Sequence, residues 1–191
     1  MSPFRPLPQA DGAEPAVISY RDAHLADGPA LDAMARQIWV ETFRHSCSPE
    51  DLELYLAQAY GPRGKLLRDL ADPAHHFRLA VAGEAIAGYA KLSPLWLNEG
   101  IVGADALQLS QLYVAAAWHG AGIAQGLMAW VLDTARARGA ASVVLTVWEE
   151  NARARRFYER YGFVYLGDYA FQTGNQVDRD LILRLALRSA G

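Results

Sequence analysis

The chain has 191 residues, close to one domain at a norm of ~150, and 52% hydrophobic against 20% charged residues is a globular composition rather than a disordered one. A domain of this size buries about 70% of the surface its unfolded chain exposes, so it folds without metal or disulfide staples. Eighteen Lys and Arg against 21 Asp and Glu leave a net charge of −3, which excludes a global positive field for nucleic acid or an anionic membrane.

Residues 1–16 carry Pro3, Pro6, Pro8 and Pro15 among few apolar residues and read as a flexible N-terminal arm, leaving 17–191 as the domain. Val17 to Tyr20 reads as a strand. Asp27-Gly-Pro29 opens a helix with Leu31, Met34, Ile38 and Phe43 in phase. Ser48 caps a second helix, with Pro49 in its first turn, Asp51 completing the capping pattern and Gly61 ending it. A shorter helix follows around Lys65 to Leu70. Phe77 to Ala82 and Ala85 to Leu92 read as strands joined by the two-residue turn Gly83-Glu84. No uninterrupted run of about 18 apolar residues occurs, so no membrane helix is expected.

The strand at Leu107 to Val114 changes parity, because Leu107 and Leu109 share one face while Leu112 and Val114 fall on the other. One extra residue near Ser110-Gln111 restores the register, and such a β-bulge splays the strand from its neighbour; the alternative is a strand buried on both faces. After His119-Gly120-Ala121-Gly122 comes a helix with Ile123, Leu127, Trp130, Val131 and Ala135 on one face. Val143 to Trp148 is β-branched and apolar throughout, as a central parallel strand is. Asn151 caps a further helix with Ala154, Phe157, Tyr158 and Tyr161 on one side and Gly162 at its end. Phe163 to Leu166 and a run from Asp180 to Leu187 are the last strands. The expected class is α/β, with a βαβ unit from 107 to 148 in a mixed sheet.

A strand, a glycine turn and a helix N-terminus together make an anion site, since free N–H groups and the helix dipole converge there. A P-loop is excluded, as Gly126-Leu127-Met128 has no Lys-Ser/Thr pair. A dinucleotide fold would use Gly120, Gly122 and Gly126 with Glu149 on the ribose, but Gln125 occupies the third glycine position. Coenzyme A is the third class. Elsewhere, His45-Ser-Cys47 and His75-His76 lack metal-ligand spacing, so no metal is expected. A lone cysteine suits a reducing compartment, hence the cytoplasm.

Residues 109–124 (Leu-Ser-Gln-Leu-Tyr-Val-Ala-Ala-Ala-Trp-His-Gly-Ala-Gly-Ile-Ala), with 145–151 (Leu-Thr-Val-Trp-Glu-Glu-Asn) and 154–163 (Ala-Arg-Arg-Phe-Tyr-Glu-Arg-Tyr-Gly-Phe), resemble the two signature motifs of the GNAT N-acetyltransferases. Glu-Thr-Phe at 41–43, Ser-Pro-Glu-Asp-Leu at 48–52, Phe171-Gln-Thr-Gly174 and Asp180-Leu-Ile resemble the bacterial spermidine/spermine branch, so that the similarity covers about 17–187. The resemblance implies the GNAT fold, a mixed sheet with helices on both faces and a bulged, splayed strand pair that takes acetyl-CoA as cosubstrate.

By that resemblance, the backbone of Leu112, Tyr113 and Val114 lines the pantetheine arm, and the Val114 N–H polarises the thioester carbonyl. The diphosphate falls on His119, Gly120, Ala121, Gly122, Ile123 and Ala124, with Asn151, Ala154 and Phe157 completing the cofactor site. His119 stands where the motif has Gln or Arg, and Ala124 replaces its final glycine. Tyr158 becomes the general acid for the departing thiolate, and a reference phenol pKa near 10 keeps it protonated at neutral pH. The implied reaction is acetyl transfer to a primary amine of a small molecule or peptide, by direct attack through a tetrahedral intermediate. Relatives in the polyamine branch place glutamates where this chain has Gln108 and Ser110, so the base falls to Glu149 acting through water, with Glu41 as a substrate contact. The expected partner is a small-molecule amine, with a homodimer open as the assembly and neither nucleic acid nor membrane involved. The rival reading is a weakly catalytic acyl-CoA-binding regulatory domain.

Overall fold

The computed structural model describes residues 17–187, so the arm expected at 1–16 lies outside the described residues. Seven strands form one sheet: β1 (Ile18–Asp22), β2 (His76–Ala82), β3 (Ala85–Ser93), β4 (Ala106–Val114), β5 (Ser142–Trp148), β6 (Val164–Thr173) and β7 (Gln176–Ala186). Their order is β1-β2-β3-β4-β5-β7-β6, and β4 and β5 are the parallel pair. Helix α1 covers Gly28–Phe43, α2 Pro49–Ala59, α3 Lys65–Ala71, α4 Glu99–Val102, α5 Ile123–Ala137 and α6 Ala152–Tyr161.

Local chemistry accounts for most boundaries. The Ser48 hydroxyl accepts from Asp51 N at 3.1 Å with Pro49 at the first position of α2, and Asn151 Oδ1 accepts from Ala154 N at 3.1 Å to start α6. Gly83 at φ +61° makes the tight turn in which Ala82 pairs with Ala85. Two features differ from the sequence expectation. The segment after Pro94 contains α4, capped by Asn98, whose side chain accepts from Gly100 N at 2.8 Å. The short strand expected at Phe163 to Leu166 runs on through Thr173 into a hairpin with β7. Strand β6 lies at the sheet edge with much of its length exposed, so it lacks an apolar signal, and a register shift near Gly167 breaks its alternation. The two-residue turn Gly174-Asn175 was the legible sign of this hairpin.

Hydrophobic cores cover both faces of the sheet. Leu127, Met128 and Val131 of α5 pack with Leu109, Val143 and Leu145, and Tyr158 of α6 joins that cluster. On the opposite face Leu31 and Trp39 of α1 and Leu56 of α2 pack on Leu79 and Tyr89. Each such fully buried side chain contributes roughly 1.5–3 kcal/mol relative to exposure. The sheet therefore separates an α5/α6 face from an α1/α2 face, and a site reached from both requires an opening between strands.

Candidate active site

That opening lies between the parallel strands. Ala106, Leu107 and Gln108 pair with Ser142, Val143 and Val144, and there the ladder stops, while β5 continues against β7 to Trp148. The cause is a bulge in β4. Lys91 of β3 faces Gln111 and Leu92 faces Leu109, which leaves Ser110 as the extra residue. Its hydroxyl lies 2.6 Å from Ser93 Oγ and accepts from Trp96 Nε1 at 3.2 Å, so it is held by the fold. The bulge restores parity: Leu107, Leu109, Leu112 and Val114 all pack in the α5-side core. Ala115 N donates to Ala87 O of β3 at 2.9 Å, so strand alternation turns the N–H groups of Leu112 and Val114 into the fork.

The fork leads to the glycine turn. Gly120 and Gly122 have φ of +87° and +79°, and a Cβ on either would meet nothing within 4 Å. The N–H groups of Gly122, Ile123 and Ala124, at the first turn of α5, have no preceding helical carbonyl to donate to. His119 Nε2 lies 2.9 Å from Val114 O, and Arg153 of α6 donates to the imidazole, with Nη2 2.8 Å from Nε2. Of the arginines on α6, Arg153 thus stands at the loop, whereas Arg155 donates to the Glu149 carbonyl at 2.8 Å. Free amides, open space and a guanidinium are the donor set a diphosphate requires, and an unpaired strand edge suits an amide-bearing arm, so these residues fit coenzyme A.

Tyr158 projects from α6 into the α5-side core and is 7% exposed. Burial raises its pKa, which keeps the phenol neutral. On the α1/α2 side, Trp148 stands beside the rings of Phe43 and His45 at 5.5 and 5.3 Å, and Tyr55 of α2 packs on Phe171 of β6 at 5.9 Å. The β6–β7 turn is fastened to α2 by Asp51, whose Oδ1 accepts from Asn175 N at 2.7 Å. Asp180 of β7 pairs with Trp148 of β5 and is itself buried. Its pKa is pushed up to about 6, chiefly by burial and further by the Asp178 charge.

The profile of the acetyltransferase (GNAT) family matches residues 33–163. The chain belongs to the GNAT family. A Mycobacterium tuberculosis protein named as an uncharacterized N-acetyltransferase is 32% identical over 163 residues, which cover 83% of this chain and 97% of that one. Among solved structures, the PaiA N-acetyltransferase from Thermoplasma acidophilum in complex with coenzyme A superposes at a TM-score of 0.71, with 20% identity and coverage of 90% of this chain and 99% of that one. The Salmonella typhimurium protein yncA, a structure with acetyl-CoA, superposes at 0.65 with 18% identity and coverage of 92% and 96%. The protein is an acetyl-CoA-dependent N-acetyltransferase of this family, with the family's mixed α/β fold.

As a GNAT enzyme, it brings the residues expected at the cofactor together around one fork: Leu112 to Val114 on its β4 edge, 119–124 at its mouth, and Asn151, Ala154 and Tyr158 on α6. Phe157 packs against the same core as Tyr158. Glu149 and Glu41 are placed otherwise. Glu149 pairs with Arg179 at 2.8 Å, and Arg179 also holds Asp168 at 2.9 Å, so its carboxylate belongs to an exposed network. Glu41 is exposed on α1 and accepts from Gln37 Nε2 at 2.8 Å. Asp180 and Arg153 have no role assigned by sequence. An acidic residue in the apolar run Asp180-Leu-Ile-Leu was a signal for the first, whereas four arginines on one short helix gave no means of choosing the second.

Proposed function

We propose that the enzyme acetylates a primary amine of a small cationic molecule by direct transfer, with Tyr158 as the general acid. Acetyl-CoA supplies the acetyl group as a thioester. The N–H groups of Leu112 and Val114 hold the arm in the fork, and the Val114 N–H polarises the carbonyl, as an oxyanion donor does. Arg153 and the 119–124 amides take the diphosphate. Tyr158, neutral because it is buried, protonates the leaving thiolate.

The observation that carries this reading is the fork itself, an unpaired strand edge with a neutral phenol on one side of the sheet and an aromatic wall on the other. The wall suits an alkyl amine, because aromatic faces attract ammonium groups and Asp178 and Asp180 add negative charge. Of the segments resembling the spermidine/spermine branch, 41–43 and 48–52 lie at α1 and α2, and Phe171, Asp180 and Ile182 of the others face this side of the sheet, which supports an acceptor of that chemical kind. The test is calorimetric titration with acetyl-CoA followed by amine-dependent release of free thiol. Saturable binding with thiol release is the expected result; acetyl-CoA binding without release on any primary amine overturns the amine reading.

A further inference from the structure

We infer that Asp180 receives the ammonium of the acceptor and acts as the general base, taking the proton that must leave before the amine nitrogen can attack. This inference rests on the primary-amine reading above and deepens it.

An acid on the α6 side needs a proton acceptor on the other side of the opening, because the amine enters from the face that the cofactor leaves free. Cross-strand pairing of Trp148 and Asp180 puts both side chains on one face. That face is the α1/α2 side: Thr146 and Ile182 lie on it, whereas Leu145, Val147 and Leu183 point into the α5-side core. Strand β4 sends Tyr113 to the same side, where its ring meets Tyr89 edge-on at 5.5 Å. Burial raises the Tyr113 pKa, and the Asp180 charge adds to the shift.

The surroundings leave Asp180 free for this task. The titratable groups facing it are Asp178 on its own strand, Tyr169 opposite it on β6, Tyr55 on α2, Tyr113 on β4 and His45 after α1, beside Trp148. Among the described residues Asp180 has no lysine or arginine partner. Glu149, in contrast, already shares a guanidinium. A second buried polar group lies on this face of the sheet. Gln108, fully buried at the crotch of the fork, has neither end of its amide hydrogen bonded among the described residues.

The chemistry balances. The ammonium gives one proton to Asp180, and the freed lone pair forms the N–C bond to the acetyl carbon. The C–S bond breaks, Tyr158 protonates the sulfur, and the second nitrogen proton leaves to solvent, from which Tyr158 recovers its own. Asp180 then releases its proton to solvent, giving one amide, one thiol and one net proton.

The test compares wild type with Asp180→Asn, and with Asp180→Ser should the first variant fail to fold, using n-butylamine, 1,4-diaminobutane and glycinamide as acceptors. Acetyl-CoA affinity, measured by calorimetry, should stay within about threefold, while kcat/KM at pH 7 falls about 100-fold or more. Without the base, only amine that is already neutral reacts. With n-butylamine and 1,4-diaminobutane the deficit should therefore shrink about tenfold for each pH unit between 7 and 9, because an alkyl amine titrates near 10.4. A merely structural role would not produce that slope. Turnover within threefold of wild type, or a deficit constant with pH, overturns the assignment of Asp180 alone. Wild type that binds acetyl-CoA but releases no thiol with any of these amines overturns the primary-amine reading and this assignment with it.

Discussion

Gln108 of β4 lies opposite Val144 of β5, and it is the last pair before the two parallel strands separate. Beyond it the backbone of Leu112 and Val114 faces the gap between the strands, and Tyr158, the aromatic wall and Asp180 are arranged around that gap. The site is thus a consequence of one unpaired residue, Ser110, which ends the β4–β5 ladder.

Tyr158→Phe removes the proton donor and little else, since the ring packs in the core and burial keeps the phenol neutral. Turnover should fall about 100-fold or more while acetyl-CoA affinity changes less than about threefold, as read by thiol release and calorimetry. Unchanged turnover would remove Tyr158 from the mechanism.

Asp180→Asn should stabilise the protein while disabling it. In the native state Asp180 titrates at about 6, and in the unfolded chain near 3.9. Between those values the folded protein binds the extra proton, so wild-type stability declines as pH rises from about 4 to about 6 and does not recover above that range. Asn does not titrate. Thermal melts should show a gain of about 1–3 kcal/mol for the variant at pH 8 and none at pH 4.

Asp178 shares a face with Asp180 two residues away along β7, a spacing of about 6.6 Å. Its partners, Ser46 Oγ at 3.1 Å and Gln176 Nε2 at 3.2 Å, are neutral, so its charge stays available to a ligand. With the diamine 1,4-diaminobutane as acceptor, Asp178→Asn should raise KM about tenfold, and with the monoamine n-butylamine less than about threefold. Steady-state kinetics on both acceptors checks this, and equal effects would rule out a second ammonium contact.

Gly122→Ala asks a residue with a Cβ to hold φ at +79° where the turn meets α5. The strain is of order 1 kcal/mol, and the new methyl stands beside the N–H groups offered to the diphosphate. Acetyl-CoA affinity should weaken about tenfold by calorimetry, with only a small loss of melting temperature.

Gly174→Ala probes the β6–β7 turn. The glycine has φ of +61°, and a Cβ there would collide with the Asp51 carboxylate that binds Asn175 N. The variant should lose about 1–3 kcal/mol in thermal or denaturant unfolding and raise the KM for amines more than that for acetyl-CoA. An unchanged melting curve would show that α2 and the turn are not fastened as described.

Much of the local structure was decided within short windows of sequence. Ser48 and Asn151 cap their helices, Gly83-Glu84 turns the first hairpin, and the parity change between Leu109 and Leu112 marks the bulge, because each depends on dihedrals and hydrogen bonds among near neighbours. The exposed length of β6 carried no apolar signal, and apart from the turn Gly174-Asn175 its pairing with β7 becomes visible only once the sheet is assembled. The amine side of the site is tertiary throughout. Trp148, Phe43, Tyr55, Asp51 and Asp180 come from β5, α1, α2 and β7, separated by up to 137 positions, and spacing along the chain says nothing about residues brought together across a sheet. Glu149 and Glu41 lie in segments the sequence marked, but a carboxylate's availability is set by what surrounds it: Arg179 neutralises the first, solvent surrounds the second, and burial against Trp148 leaves Asp180 with a proton affinity suited to a base.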